Sequence, residues 1–204
     1  MSYNSMKQQI VFIHGGETFA TYEDYFKYLA DVEIDFSRLF AKRWHQQLQE
    51  VLGEGYEVIA PRMPNVWNAK YMEWKIYFEK HLPFIRDGVV LIGHSLGGIF
   101  LAKYLAEENF PVKIKATFLV APPYDDKDSG YSLADFVLPK SLKKLEEQGG
   151  KISLYHSEDD PVVPFADFAK YSKALPTATA RNFKDREHFT GAEFYEIVAD
   201  IKKL

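Results

Sequence analysis

Val89-Val90-Leu91-Ile92-Gly93-His94-Ser95-Leu96-Gly97 is the stretch on which the rest of the chain depends. Its apolar start reads as a buried strand, and a helical pattern of Ile99, Ala102, Leu105 and Ala106 begins directly after it. A strand that meets a helix through one sharp turn puts the central residue in a strained backbone conformation. That geometry lifts its side chain above the sheet, while the flanking glycines let strand and helix cross closely. Ser95 is therefore the candidate nucleophile. A Gly-x-Ser-x-Gly pattern recurs by chance, so the strand before it and the helix after it carry much of the assignment.

Outward from this turn, the chain alternates between strand and helix signals. Residues 9–14 form a buried-strand run ending at His14-Gly15-Gly16, and residues 17–36 follow with Phe19, Tyr22, Tyr25, Phe26 and Tyr28. That aromatic segment is either a short helix covering the core or part of a pocket wall. From Ser37, a potential cap, Phe40, Trp44, Leu48, Val51 and Leu52 recur at helical spacing before Gly53. A second strand at 56–60 is broken by Pro61 and Pro64. Asn68 is then placed to cap a helix bearing Tyr71, Trp74, Phe78 and Leu82. Beyond the serine turn come a strand at 115–120, a loop rich in Asp125, Asp126 and Asp128, and a short helix at 141–148. A strand at 152–156, a helix opened by Pro164, a weaker strand at 178–183 and a C-terminal amphipathic helix complete the pattern.

Strands alternating with helices imply a six-stranded parallel sheet with helices on both faces, in one α/β domain spanning 1–204. Ligands bind such sheets at the carboxyl ends of the strands. The loop after the first strand, the serine turn, the Asp159-Asp160 loop and the loop carrying His188 all fall on that edge. A serine hydroxyl needs a base, and His188 alone of the six histidines lies beyond the acidic candidates. Ser95, Asp160 and His188 also follow the nucleophile–acid–base order of the α/β-hydrolase arrangement. Asp160 is preferred over Glu158 and Asp159, which are assigned surface or capping roles, because Pro161 biases it toward an extended conformation. Backbone N–H groups of Leu96 and Gly16 are the candidate oxyanion donors.

Trp67, Tyr71, Trp74 and Phe19, with the rest of 19–28, are the candidates for lining an apolar pocket; the alternative is that these rings serve the core. Asp125, Asp126 and Asp128 are most simply solvated, although such a cluster suits a cationic substrate group. The formal charge of −4 provides no basic face for nucleic acid. The absence of cysteine excludes a thiol nucleophile, disulfides and thiolate zinc sites. The apolar run after Lys7 is too short for a signal peptide or a membrane span, so a cytoplasmic protein acting without a membrane is expected. Nothing in the sequence sets the oligomeric state.

His14-Gly15, Met63-Pro64, Trp74, Ile92-Gly93-His94-Ser95, Asp159-Asp160-Pro161 with Pro164, and His188-Phe189 together resemble the small α/β-hydrolases of the retinoblastoma-binding protein 9 type. The resemblance covers nearly the whole chain. It implies the compact hydrolase fold with sheet order 2-1-3-4-5-6, and a triad of Ser95, Asp160 and His188. The leading expectation is a serine hydrolase acting on a small-molecule ester, thioester or amide, a reaction that requires no metal or organic cofactor. Glu187 stands where such hydrolases often have glycine, and 19–28 looks longer than the minimal form. Without cysteine the chain cannot carry a Leu-x-Cys-x-Glu motif, so binding to retinoblastoma protein is not expected. The competing expectations are a hydrolase-shaped interaction protein without turnover, and an acyltransferase using the same triad.

Overall fold

The computed structural model describes residues 7–36, 40–127 and 129–204. Strands β1 (Gln8–Ile13), β2 (Tyr56–Ile59), β3 (Val89–His94), β4 (Ile114–Val120), β5 (Lys151–Ser157) and β6 (Thr179–Phe183) form one sheet. The order is β2-β1-β3-β4-β5-β6, with every neighbouring pair parallel, as expected from the resemblance. Parallel strands bring their C-terminal ends to one edge, and the pairings Ile13↔Gly93, His94↔Val120 and Ser157↔Phe183 align those ends. The helices are α1 (Tyr22–Asp31), α2 (Leu48–Leu52), α3 (Tyr71–Glu79), α4 (Leu96–Glu107), α5 (Lys143–Gln148), α6 (Ala166–Ala174) and α7 (Tyr195–Lys202).

Successive strand side chains point to opposite faces, so an unbroken apolar strand requires cover on both. Val11, Ile13 and Leu91 face a core built with Phe78 of α3, Phe100 of α4, Leu145 of α5 and Tyr171 of α6. Ile10, Phe12, Val90 and Ile92 face the other, with Leu48 of α2 and Ile197 and Ile201 of α7. The sheet is thereby held between two layers, and its C-terminal edge is left for loops.

Local structure departs from the sequence expectation in four places. The helix expected from Ser37 is shorter: Ser37 lies outside the described residues, and Phe40 is 75% exposed. A 3₁₀ turn, Trp44–Gln47, leads into the five-residue α2. Only Trp44, Leu48 and Leu52 of that stripe find the core, and a short helix forms where packing rewards it. Asn68 does not cap α3. Lys70 is the N-cap residue, and the Tyr71 N–H donates to the Asp135 carboxylate at 2.8 Å, from a loop far along the chain. Leu82 falls in a separate 3₁₀ turn, Leu82–Phe84.

The third departure is α1, which carries a Thr21/Asp24 capping box yet buries none of its residues, so it does not cover the core. The fourth concerns Tyr71 and Trp74, expected as pocket candidates. They are 3% and 0% exposed, pack edge-on against Phe136, and belong to the core. Trp74 hides its only polar atom by donating to the Pro64 carbonyl at 2.8 Å.

Candidate active site

The serine turn is built by what glycine lacks. A Cβ on Gly93 would stand 2.4 Å from the Gly97 carbonyl oxygen, and one on Gly97 would stand 2.2 Å from that of Ile13. No other residue lets β3, α4 and β1 approach this closely. Ser95 sits between them at φ 56° and ψ −125°, a left-handed conformation that disfavours a side chain. Its N–H donates to the Val120 carbonyl at 2.8 Å, which ties the turn to β4. Leu96 begins α4, where backbone N–H groups and the helix dipole favour negative charge.

The loop after β1 packs directly on this turn: a Cβ on Gly15 would lie 3.0 Å from Cβ and 3.4 Å from Oγ of Ser95. His14 shapes the loop. Its Nε2 accepts the Met63 N–H at 2.9 Å, so the ring proton is on Nδ1, which donates to the Gly15 carbonyl at 2.6 Å. Burial pushes the His14 pKa below its usual value and keeps the ring neutral. In a planar trans peptide the C=O and the next N–H point in opposite directions, so holding the Gly15 carbonyl also sets the Gly16 N–H. Glu17 clamps the far side, its N–H donating to Val66 and its C=O accepting from Ala69, both at 2.8 Å.

The Asp160 and His188 side chains meet: His188 Nδ1–H donates to Asp160 Oδ2 at 2.8 Å. The other Asp160 oxygen accepts the N–H groups of Val162 and Val163 at 2.8 and 2.9 Å. This carboxylate is fully buried, and three hydrogen bonds compensate its lost water. His156, also buried, approaches Asp160 only to 3.7 Å and donates instead to the Val163 carbonyl at 3.1 Å. Burial pushes its pKa down as well, so it adds no charge beside the Asp160–His188 pair.

Asp159, given a surface or capping role by the sequence reading, is exposed and fastens the histidine loop. One of its oxygens accepts the Glu187 N–H at 2.9 Å and the Ser157 hydroxyl, and Ser157 Oγ in turn accepts the Arg186 N–H at 3.1 Å. Two further side chains hold the same loop. His94 Nε2–H donates to the His188 carbonyl at 2.8 Å, and Trp44 Nε1–H to the Phe189 carbonyl at 2.9 Å. Burial drives the His94 pKa well down, with the His188 charge a lesser cause, so this donor is the neutral ring. Glu187 and Phe189 flank His188 at φ 45° and 52°. The residue standing in place of the family's glycine thus adopts the conformation that glycine would favour.

Of the other candidates, Trp67 is 50% exposed and meets Tyr28 of α1 with ring centroids 6.2 Å apart, while Phe19 meets Tyr28 at 5.1 Å. The acidic loop is partly committed to structure: Asp125 pairs with Lys170 at 2.9 Å, and Asp126 accepts the Leu133 N–H at 3.1 Å. Asp128 lies outside the described residues. Among the described residues, no three His, Asp or Glu side chains gather in a way that could hold a metal ion. No helix among them is long and apolar enough to cross a membrane.

A family model described as serine hydrolase matches residues 37–196. The chain belongs to this serine hydrolase family. Serine hydrolase RBBP9 of Rattus norvegicus is 26% identical over 152 residues, covering 74% of this chain and 78% of the rat protein. That match bears out the small retinoblastoma-binding protein 9 type. The fold recurs in the ydeN gene product of B. subtilis, with a TM-score of 0.77, 17% identity, and coverage of 97% and 98% of the two chains. Est1E of Butyrivibrio proteoclasticus shares it at a TM-score of 0.60, 17% identity, and coverage of 98% and 88%. As a member of the serine hydrolase family, the chain presents Ser95 on a turn bordered by the 14–17 loop, with the Asp160–His188 pair on the same sheet edge. His14, His94 and Trp44 were the supporting residues that sequence reasoning missed. Only the adjacency of His14 to Gly15 and of His94 to Ser95 hinted at two of them.

Proposed function

We propose that this serine hydrolase cleaves a small ester, thioester or amide through an acyl-enzyme on Ser95. The 2.8 Å hydrogen bond from His188 Nδ1–H to the buried Asp160 carboxylate is the observation that carries the proposal. It commits one ring nitrogen as donor and leaves Nε2 as the base. His188 Nε2 takes the Ser95 proton as Oγ attacks the carbonyl carbon, and Asp160 stabilises the imidazolium without accepting the proton. The tetrahedral oxyanion is received by the N–H groups of Leu96 and Gly16, each contributing about 3 kcal/mol at the transition state. His188 then protonates the departing alcohol, thiol or amine, and a water activated by the same base releases the acid. The four loops on one edge and the strained Ser95 support this assignment, as does the family. The reaction requires no metal or organic cofactor.

Labelling by a fluorophosphonate probe tests it. Folded wild-type protein is expected to label, Ser95→Ala not at all. Hydrolysis of a simple aryl ester is expected to fall by roughly 10⁶-fold in Ser95→Ala and in His188→Ala, and by less in Asp160→Asn. Unlabelled, folded wild-type protein would favour an interaction protein without turnover. Labelling that survives Ser95→Ala would move the chemistry to another serine.

A further inference from the structure

Glu17 is a carboxylate at the site that the mechanism leaves unused. It directly follows Gly16, its main chain is held on both sides by Val66 and Ala69, and its side chain stays open to solvent. A carboxylate so placed cannot swing away with a mobile loop. We propose that Glu17, with the ring faces of Phe19, Tyr28 and Trp67, binds a cationic group carried by the acyl part of the substrate; this specificity contact rests on the hydrolase reading above.

Three observations converge on that chemistry. First, Glu17 offers an exposed carboxylate directly after Gly16. Partial burial raises its pKa above the usual carboxylate value, and the charge of His188 opposes that rise. Among the described residues no lysine or arginine pairs with it; the nearby Lys70 ammonium donates instead to the Phe19 carbonyl at 3.3 Å. Second, aromatic rings adjoin it. The Glu17 N–H is bonded to Val66, which precedes Trp67, Phe19 lies two residues further on, and Tyr28 bridges Phe19 and Trp67 with ring centroids 5.1 and 6.2 Å away; burial and then the Glu17 charge push the Tyr28 hydroxyl up. Such rings attract a cation through their negative faces and tolerate the alkyl groups that surround it. Third, the competing acids are committed, Asp125 to Lys170 and Asp126 to the Leu133 N–H.

Two umbelliferyl esters of equal shape test the inference: γ-trimethylammoniobutyrate, and its neutral isostere with carbon in place of nitrogen. At low salt the wild-type enzyme is expected to prefer the cationic ester by about 10-fold in kcat/KM, and added salt should shrink that preference. In Glu17→Gln the preference is expected to vanish, mainly through a higher KM for the cationic ester, because the contact exists before as well as during the reaction. Glu17→Asp should keep part of it. A charge preference unchanged in Glu17→Gln, or equal losses on both esters, would overturn the inference. If wild-type enzyme takes the fluorophosphonate probe but shows no charge preference, or turns over neither ester, the inference fails while the nucleophile assignment stands. If it neither labels nor hydrolyses, the hydrolase reading itself has failed.

Discussion

Replacing Ser95 by glycine is expected to stabilise the protein while removing the proposed nucleophile. Ser95 lies at φ 56° and ψ −125°, close to the first central position of a type II′ turn, where glycine is preferred. Holding a residue with a side chain in so sparsely populated a region costs about 1–3 kcal/mol. Glycine's greater freedom in the unfolded chain offsets about 0.5–1 kcal/mol of the relief. The backbone bonds of the turn survive the change, from Ser95 N–H to Val120 and from Gly98 N–H to Ser95, both at 2.8 Å. A net gain of about 0–2.5 kcal/mol follows, which in a chain of this size raises Tm by up to about 10 °C. Ser95→Ala is the control, because it deletes the hydroxyl but keeps the Cβ in the same backbone conformation. Both variants should be melted in parallel and unfolded in urea, with fluorophosphonate labelling confirming that each is inactive. If Ser95→Gly is no more stable than Ser95→Ala, strain is not stored at this turn, and the physical account of why Ser95 is lifted above the sheet is wrong.

Gly97→Ala should be severely destabilising, by about 3 kcal/mol or more, because the new Cβ would meet backbone rather than a side chain that can yield; a Tm close to wild type would show that β1 and α4 can part. Glu187→Gly should stabilise by about 0.5–1 kcal/mol in urea unfolding, since it relieves a residue at φ 45° while keeping the N–H bond to Asp159. A loss of stability there would mean that the Glu187 side chain holds the loop. Acid should weaken the fold through its neutral histidines. Burial lowers the pKa of His14 and His94, and lowers that of His45 to about 4 with help from the charges of Arg43 and His14. The unfolded chain therefore binds more protons than the folded one as pH drops below about 6.5, and stability falls from there toward the folded pKa values. His45→Phe, which keeps a ring stacked 4.7 Å from Phe12, should flatten urea stability measured between about pH 7 and 5.5. An unchanged slope would remove His45 from that account.

The sheet was legible because its signal is local and repeated. Runs such as Ile10-Val11-Phe12-Ile13 and Val89-Val90-Leu91-Ile92 are apolar without alternation, which only a strand covered on both faces can satisfy. Helix ends were less legible. Phe40 continues the spacing of Trp44 and Leu48 but has no core to enter, and α3 takes its cap from Asp135 rather than from a neighbour in sequence. Helical periodicity states which residues share a face; it does not state whether anything lies opposite that face. The same limit explains Tyr71 and Trp74, whose aromatic character suits a pocket and a core equally.

At the site, the sequence by itself determined the turn at Gly93 to Gly97, since glycine, serine and strand order are recorded in the chain. It also set the family resemblance and the placement of the candidate loops on one edge. Pro161 favoured Asp160 in the sequence, but only the tertiary structure shows which neighbour of the pair meets His188. Asp159 and Asp160 are adjacent in a strand-end loop, yet one accepts the Glu187 N–H and the other the His188 ring, a distinction of side-chain direction. Only the fold brought His94 and Trp44 beneath the histidine loop, and only the fold set Glu17 against Val66 and Ala69, which flank Trp67. Those contacts join residues distant in the chain, and their energies depend on directions and separations that no local pattern encodes.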